Sequence, residues 1–182
     1  MNVSLPQTVG ESGLSLAHPV QYSQTRMSQI MAPQDVNLMG NVFGGVILAF
    51  VDRIAYVCAS RHAGHPCVTA SFDSVDFRSP VRVGEVVTLK ASVNLVGRTS
   101  LEVGVRVESE DLFTREIRHT NSCYVTMVAL GSDGQPTPVP RLILETEEEL
   151  RRYHDAQDRR RARSHLAEER RRRRGGAATE RS

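Results

Sequence analysis

Residues 41–66, NVFGGVILAFVDRIAYVCASRHAGHP, carry the signal that decides the fold. Apolar side chains recur through this stretch at helical spacing, namely at Val46, Ile47, Phe50, Val51, Ile54, Val57 and Cys58. The pattern stops at Gly64 and Pro66, which are typical helix terminators. It predicts a mostly apolar helix of about six turns. Small residues such as Gly44 and Ala49 would let a sheet pack closely around it.

Strand signals flank this helix on both sides. One lies before it at 25–31, and the others follow at 67–77, 85–96, 101–108 and 115–128. Between Leu101 and Glu108, apolar residues alternate with polar residues or glycine at a period of two, which is typical of an antiparallel strand with one buried face. One long helix with antiparallel strands around it predicts an α+β domain.

Composition changes divide the 182 residues into four parts. We predict a disordered N-terminal arm at 1–22, a core domain at 23–130, a Pro/Gly hinge at 131–143, and an Arg/Glu-rich C-terminal helix and tail at 144–182. Thr146 and Glu149 have the spacing of a capping box, so a surface helix should begin there.

Charge and cysteine content exclude several classes of protein. The net charge is only +2, and arginines concentrate near the C-terminus, with a run at 170–174 that has no interleaved aromatic residue. We therefore expect a solvated tail and no nucleic-acid partner. Three cysteines without framework spacing predict reduced core thiols. Without a secretory leader or an apolar run of membrane-spanning length, the sequence predicts a cytoplasmic protein with no membrane span.

Known nucleophile, nucleotide and metal motifs are absent from the sequence, and no metal site is expected. The candidate chemistry instead concentrates near the start of the helix. Asp52 lies within an otherwise apolar helix, where desolvating a carboxylate is costly. It is either functional or placed on a solvent-facing edge beside Arg53, and the spacing alone does not decide between these interpretations.

Gly44 and Gly45 form a second candidate feature, at the helix N-terminus. The first backbone N–H groups of a helix have no intrahelical partner, and residues without side chains let a substrate carbonyl approach them. The alternative is that the glycines permit tight helix-to-sheet packing. Asn37, in the preceding loop, and Asn41, at the helix entrance, lie beside them in the sequence.

Five segments together resemble the hot-dog acyl-CoA thioesterases. They are PQDVNLMGNVFGGVILAFVD (33–52), TASFDSVDF (69–77), PVRVGEVV (80–87), GRTSLEV (97–103) and PVPRLILETEEELRR (138–152). The match covers about residues 22–155 and is similar to the bacterial YciA-like enzymes and the long-chain cytosolic acyl-CoA hydrolases of animals. This resemblance implies a hot-dog fold, in which an antiparallel sheet wraps a long central helix, with a C-terminal surface helix following here.

The resemblance also implies where acyl-CoA is hydrolysed. In this family an Asn before the helix and an Asp on the helix of the facing subunit carry catalysis, and these residues correspond to Asn37 and Asp52. A homodimer, in a trimer of dimers, would complete the site. No cofactor is expected, because coenzyme A is part of the substrate. Gly44 and Gly45 would polarise the carbonyl.

Three further candidate residues each have a functional and a purely structural interpretation. Thr69 either holds the attacking water or is an ordinary strand residue; Arg98 and Ser100 either bind coenzyme A phosphates or form a solvated turn. Asn41 and Phe43 complete the predicted substrate-binding set. Phe43 stands where many relatives have His, which argues against a hot-dog dehydratase. A non-catalytic acyl-CoA sensor with a basic interaction tail remains the alternative function.

Overall fold

The computed structural model describes residues 17–73 and 75–179. In chain order the elements are β1 (Ala17–Pro19), α1 (Val20–Ser23), β2 (Thr25–Ile30), a 3-10 turn (Pro33–Asp35), α2 (Gly44–Ala63), β3 (Cys67–Phe72), β4 (Val86–Val96), β5 (Ser100–Glu110), β6 (Ile117–Ala129), β7 (Arg141–Ile143) and α3 (Glu147–Thr179). The predicted order of one strand, one long helix and further strands is confirmed.

Helix α2 is the apolar helix that the sequence predicts. It ends at Gly64, whose φ of 68° lies in the left-handed region, and the Gly64 N–H donates to the Ser60 carbonyl. Glycine adopts this conformation without strain, which explains the sharp stop. The apolar spacing places Val51, Ile54 and Cys58 in the core, each at most 1% exposed.

Five antiparallel strands wrap this helix in the order β2-β4-β5-β6-β3. The inner face carries fully buried residues from three adjacent strands, including Val87, Val103 and Val125. Burying each such side chain stabilises the fold by about 1.5–3 kcal/mol. The arrangement is the hot-dog fold, as expected.

Two predicted boundaries are wrong. The predicted N-terminal arm is ordered from Ala17 onward, because β1 pairs in parallel with β7 (Ala17↔Arg141 to Pro19↔Ile143). The predicted hinge at 131–143 therefore ends in a strand. Residues 1–16 of the arm, and the last three residues of the tail, lie outside the described residues. Pairing between chain segments so distant in sequence leaves no local pattern to detect.

Helix α3 starts with the predicted capping box and packs on the outer face of the sheet. Thr146 Oγ1 accepts from the Glu149 N–H at 3.2 Å, and Glu149 Oε2 accepts from the Thr146 N–H at 3.2 Å. The strand alternation placed Glu102 on a solvated face, but its side chain is only 2% exposed. That expectation is wrong, because α3 covers this part of β5.

Glu102 holds α3 through two arginines. Arg159 Nη2 donates to Glu102 Oε1 at 2.6 Å, while Arg163 Nη1 lies 3.2 Å from Glu102 Oε2 and 2.5 Å from Asp73 Oδ2. Arg159 also lies over the Tyr124 ring, 3.5 Å from its centroid. Among α3 residues whose side chains are described, only Ala156 is fully buried, so ion pairs carry much of the attachment.

We expect Glu102→Gln to lower the free energy of unfolding by about 1–3 kcal/mol, because both arginines lose their shared carboxylate while remaining partly solvated. Urea denaturation at equal protein concentrations measures the change. The control is Glu110→Gln, which breaks a surface pair with the 76%-exposed Arg115 and should cost at most about 1 kcal/mol. Equal small effects would contradict the role given to Glu102.

The three cysteines are free and buried, as predicted. Burial raises the pKa of the Cys58 thiol to about 12 and that of the Cys123 thiol to about 11. Burial also raises the pKa of Cys67. Within the described ranges, no helix combines the length and apolar character that crossing a membrane requires.

Candidate functional site

The carboxylate of Asp52 is hydrogen-bonded to a hydroxyl from the neighbouring edge strand. Thr69 Oγ1, on β3, donates to Asp52 Oδ1 at 2.5 Å. Asp52 is half-buried on α2, and among the described residues it forms no ion pair with Arg53, whose guanidinium lies 5.7 Å from the Phe50 ring centroid. For Asp52, the structure thus favours a functional role over a solvated edge shared with Arg53. For Thr69, it favours a functional role over that of an ordinary strand residue.

Regular alternation along the first part of β3 places Thr69 on the face toward the helix, two residues after the buried Cys67. Thr69 pairs with Met127 of β6, but the register then shifts, so that Ser71 pairs with Thr126 and Phe72 with Val125. Thr69 therefore lies on the inner face with the buried Met127, and its hydroxyl also lies 3.4 Å from the Met127 sulfur. The bulge changes only the residues after it, so that Phe72, and not Ser71, shares the face of the buried Val125.

Asp52 and Thr69 lie in an open cleft of about 520 Å³ between α2 and β3. The other lining residues are Arg53, Tyr56, Val57, Cys67 and Val68. Tyr56 and Val68 are each 46% exposed, although both are large and apolar. An acidic group in an apolar, accessible cleft suits a substrate with an apolar part.

Asn37 and Asn41 come together in the loop before α2. Asn37 Oδ1 accepts from the backbone N–H groups of Met39 at 2.9 Å and Asn41 at 3.3 Å, and the Asn37 N–H donates to the Asn41 carbonyl at 2.7 Å. These bonds fix the amide oxygen inward. The Asn37 side-chain NH₂ has no partner among the described residues, so it is available to donate to a ligand.

The two glycines at the start of α2 combine close packing with backbone N–H groups that have no acceptor among the described residues. A Cβ on Gly44 would lie 3.2 Å from the Phe77 ring, and one on Gly45 would lie 2.6 Å from the Phe43 ring. Tight packing against these two rings thus favours glycine at both positions. No side chain caps this N-terminus, and in the described part of the chain neither glycine N–H has a protein acceptor.

Within one chain, these groups form two separate clusters. Asp52 follows Gly44 by eight residues on the same helix, which corresponds to about 12 Å along the axis. One thioester carbonyl cannot contact both the Asp52 carboxylate and the Gly44 N–H at that separation. The Asn37, Gly44 and Gly45 cluster must therefore meet the Asp52–Thr69 pair of a second chain if all five act on one carbonyl.

Of the predicted substrate residues, Arg98 lies in the turn before β5 and Ser100 is the first residue of that strand. The Gly97 N–H donates to the Ser100 carbonyl at 2.7 Å, and Arg98 is exposed. Ser100 pairs with Val128 of β6, and Val128 pairs with Val68 of β3. Two strand spacings, about 10 Å, thus separate Ser100 from the strand that carries Thr69.

Sequence reasoning missed Tyr56 and Phe77. Tyr56 follows Asp52 by four residues and so shares its helix face, a spacing that could have identified it. Phe77 comes from the loop after β3, where no periodicity indicates that its ring covers Gly44. Across residues 17–73 and 75–179, no group of three or more His, Cys, Asp or Glu side chains has the geometry of a metal site.

Comparison with known proteins relates this geometry to a family. The profile described as "Thioesterase superfamily" matches residues 39–112. The protein VdlD of Helicobacter pylori is 47% identical over 76% of this chain and 79% of its own length. A Bacillus subtilis protein described as an uncharacterized acyl-CoA thioester hydrolase, YkhA, is 42% identical over 70% of this chain and 74% of its own.

Two solved structures are closely similar. A hexameric acyl-CoA thioesterase superposes with a TM-score of 0.81 at 43% identity, over 84% of this chain and 97% of the other. An acyl-CoA hydrolase from Staphylococcus aureus, solved with butyryl coenzyme A, coenzyme A and coenzyme A disulfide, gives a TM-score of 0.77 at 34% identity, over 84% and 95%.

Three alanine variants of the Staphylococcus hydrolase, each 33% identical to this chain, replace an aspartate, an asparagine and a threonine. In that protein the asparagine precedes the aspartate by 15 residues, and the threonine follows the aspartate by 17. The same intervals separate Asn37, Asp52 and Thr69 here.

Proposed function

Because the chain belongs to the acyl-CoA thioester hydrolases of the thioesterase superfamily, we propose that it hydrolyses fatty acyl-coenzyme A to a free fatty acid and coenzyme A. The observation that carries this proposal is the Thr69–Asp52 hydrogen bond in an open apolar cleft. A non-catalytic sensor would have no need of an oriented carboxylate beside the thioester. No observation favours the sensor.

Asp52 is the central catalytic residue of the proposal. Its carboxylate either takes a proton from the attacking water or attacks the carbonyl carbon to give a transient anhydride that water then hydrolyses. In both routes the C–S bond breaks and coenzyme A leaves as a thiolate, which needs less protonation than an alkoxide or amide. Thr69 holds the carboxylate in a fixed orientation by donating to Oδ1.

Asn37, Gly44 and Gly45 polarise the thioester carbonyl. The free NH₂ of Asn37 and the uncapped glycine N–H groups are all donors, and the N-terminus of α2 favours developing negative charge. Donors placed where an oxyanion develops lower the barrier strongly in a site that excludes water. Asn41 holds the Asn37 loop because its N–H donates to Asn37 Oδ1 and its carbonyl accepts from the Asn37 N–H. Phe43 packs over Gly45 and borders the entrance.

The proposal requires a homodimer. The 12 Å separation along α2 supports a site in which one chain contributes Asp52 and Thr69 and the other contributes Asn37 and the glycines. In the described part of the sheet, β3 is an edge strand with unpaired backbone groups, and its Val68 and Phe72 are exposed. An apolar edge of this kind suits a subunit contact. The hexameric structure similar to this chain supports three such dimers.

Arg98 and Ser100 would bind phosphates of coenzyme A, with the exposed guanidinium offering two parallel donors. No cofactor takes part in the proposed reaction, because coenzyme A arrives with the substrate. We also propose a cytoplasmic location, which is supported by three unpaired cysteines of the kind found in reducing compartments.

Release of free coenzyme A thiol from acyl-CoA esters tests the function directly. The series should run from butyryl to long-chain esters, because the open cleft does not set an upper chain length. We expect saturable hydrolysis of at least part of the series. Acyl-CoA binding without thiol release from any ester would refute the enzyme and leave the sensor.

The Thr69 hydroxyl should affect turnover more than binding. We expect Thr69→Val to lower kcat by about 10–100-fold, since a hydrogen bond to a charged group is lost. Thr69→Ser keeps the hydroxyl and serves as the control, with kcat within a few-fold of wild type. Equal activity of the valine and serine variants would show that Thr69 is an ordinary strand residue.

A further inference from the structure

A second cleft, of about 650 Å³, lies on the outer face of the sheet beneath α3. Its floor is made by outward-facing residues of β4, β5 and β6, among them Ser92, Gly104 and Ser122, and α3 forms one wall. The Asp52–Thr69 pair lies on the inner face, across the sheet from this outer cleft. The outer cleft is therefore separate from the proposed thioester site of the same chain.

Three cations lie side by side across the floor of the outer cleft. Strand register places Arg26 opposite Lys90, and Lys90 opposite Arg106. Like charges directly opposite each other destabilise a sheet. Glu108 is the shared partner of two of them, since Lys90 Nζ and Arg106 Nε each lie 2.7 Å from its carboxylate. Arg26 has no ion pair among the described residues.

The wall adds further positive charge. Arg151, Arg152 and Arg159 of α3 also line the outer cleft, which brings the lining cations to six. The carboxylates paired with these six are Glu102, Glu108, Glu148 and Asp155. Six cations against four carboxylates leave an excess of two positive charges in one concave surface. Such a surface concentrates anions.

A neutral donor is aimed into the same cleft from its floor. Asn94 is only 5% exposed. Ser92 Oγ donates to Asn94 Oδ1 at 3.4 Å, so the amide NH₂ points away from Ser92. In the described part of the chain, that NH₂ has no hydrogen-bond partner. A Cβ on Gly104 would lie 2.4 Å from that nitrogen, so glycine at this position makes room for the Asn94 amide. The Asn94 NH₂ is therefore free to donate to a ligand or to water in the cleft.

From this arrangement we infer that the outer cleft binds a compact anion with two or three linked phosphate groups, either inorganic or as part of a nucleotide. Phosphate oxygens accept from ammonium, guanidinium and amide donors alike. A chain of phosphates would contact more of the row from Arg26 to Arg106 than one phosphate and lower the repulsion along it. A single phosphate would meet only part of the row and bind less tightly.

Calorimetric titration of the full-length protein with pyrophosphate tests the inference, with orthophosphate at equal ionic strength as a comparison. We expect pyrophosphate to bind at least about tenfold more tightly than orthophosphate, and Lys90→Gln/Arg106→Gln to bind pyrophosphate at least about tenfold more weakly than wild type. The control is Arg161→Gln, on α3 but outside the cleft, where a 75%-exposed side chain pairs with Asp158.

Three results would overturn the inference: no binding of pyrophosphate, equal weakening in Arg161→Gln, or a KM for acyl-CoA that rises as much as the Kd for pyrophosphate in the double variant. The last would make the cleft part of a coenzyme A site. If the double variant fails to fold, Lys90→Gln alone should weaken binding several-fold. ADP distinguishes an inorganic phosphate chain from a nucleotide as the ligand. If ADP binds as tightly as pyrophosphate, the cleft recognises only the phosphate chain. If ADP binds more tightly, the cleft also contacts the nucleoside.

Discussion

Asp52→Ala should lower kcat/KM for acyl-CoA by about 10²–10⁴-fold, the range that a positioned acid or base contributes. Alanine removes both the proton acceptor of the water route and the nucleophile of the anhydride route, so both predict this loss. Thiol release under the conditions used for wild type provides the measurement. Asp52→Asn should be similarly inactive, because the amide keeps the shape but is neither a useful base nor a useful nucleophile.

The control for Asp52 must exclude a folding defect. Asp158→Ala removes a carboxylate from an exposed position on α3, where the Asp side chain is 73% accessible. It should retain full activity. The Asp52 variants should also keep the wild-type oligomer and melting temperature, because the side chain is half-buried and forms no ion pair among the described residues. Substantial hydrolysis by folded Asp52→Ala would refute the mechanism.

Mixing two inactive variants should restore activity. In a dimer of one Asp52→Ala chain and one Asn37→Ala chain, one site lacks both residues and the other is intact. Random pairing makes half of the dimers mixed, so co-expression should yield about a quarter of wild-type activity. This recovery from a nearly inactive background follows from the separation of Asn37 and Asp52 into clusters that a single chain does not join.

Each variant expressed alone is the baseline for that experiment. Asn37→Ala should itself lose about 10²–10³-fold in kcat, as expected when a donor to the oxyanion is removed. A co-expressed mixture that is no more active than its two parents would mean that Asn37 and Asp52 act from the same chain. In that case the two-chain site would be wrong even if the protein proves to be a thioesterase.

The inner layer of this fold was predictable because its signals are local. The 3.6-residue spacing from Val46 to Cys58 predicted α2, and the period of two from Leu101 to Val107 predicted β5. Apolar periodicity reports the face that meets the core, and Asp52 was conspicuous because it breaks that periodicity. Thr69 had no such signal, since a threonine in a strand is ordinary until its partner is known.

The outer layer was not predictable, because its contacts join distant segments. The strand alternation predicted that Glu102 is solvated. Only the docking of α3 shows that it binds Arg159 and Arg163. The cation row from Arg26 to Arg106 depends on strand register, which alternation alone does not give. The bulge between Thr69 and Ser71 is likewise invisible in the sequence, although it places Phe72 instead of Ser71 opposite the buried Val125.

The three buried cysteines should not react with the thiol of coenzyme A, which the proposed reaction releases. Thiolates, not thiols, exchange with disulfides, and burial keeps all three side chains protonated near neutral pH. Even Cys67, which borders the cleft that holds Asp52 and Thr69, is only 3% exposed. The folded enzyme should therefore form no mixed disulfide with released coenzyme A, and a colorimetric disulfide reagent added during turnover should react with the product while sparing the protein.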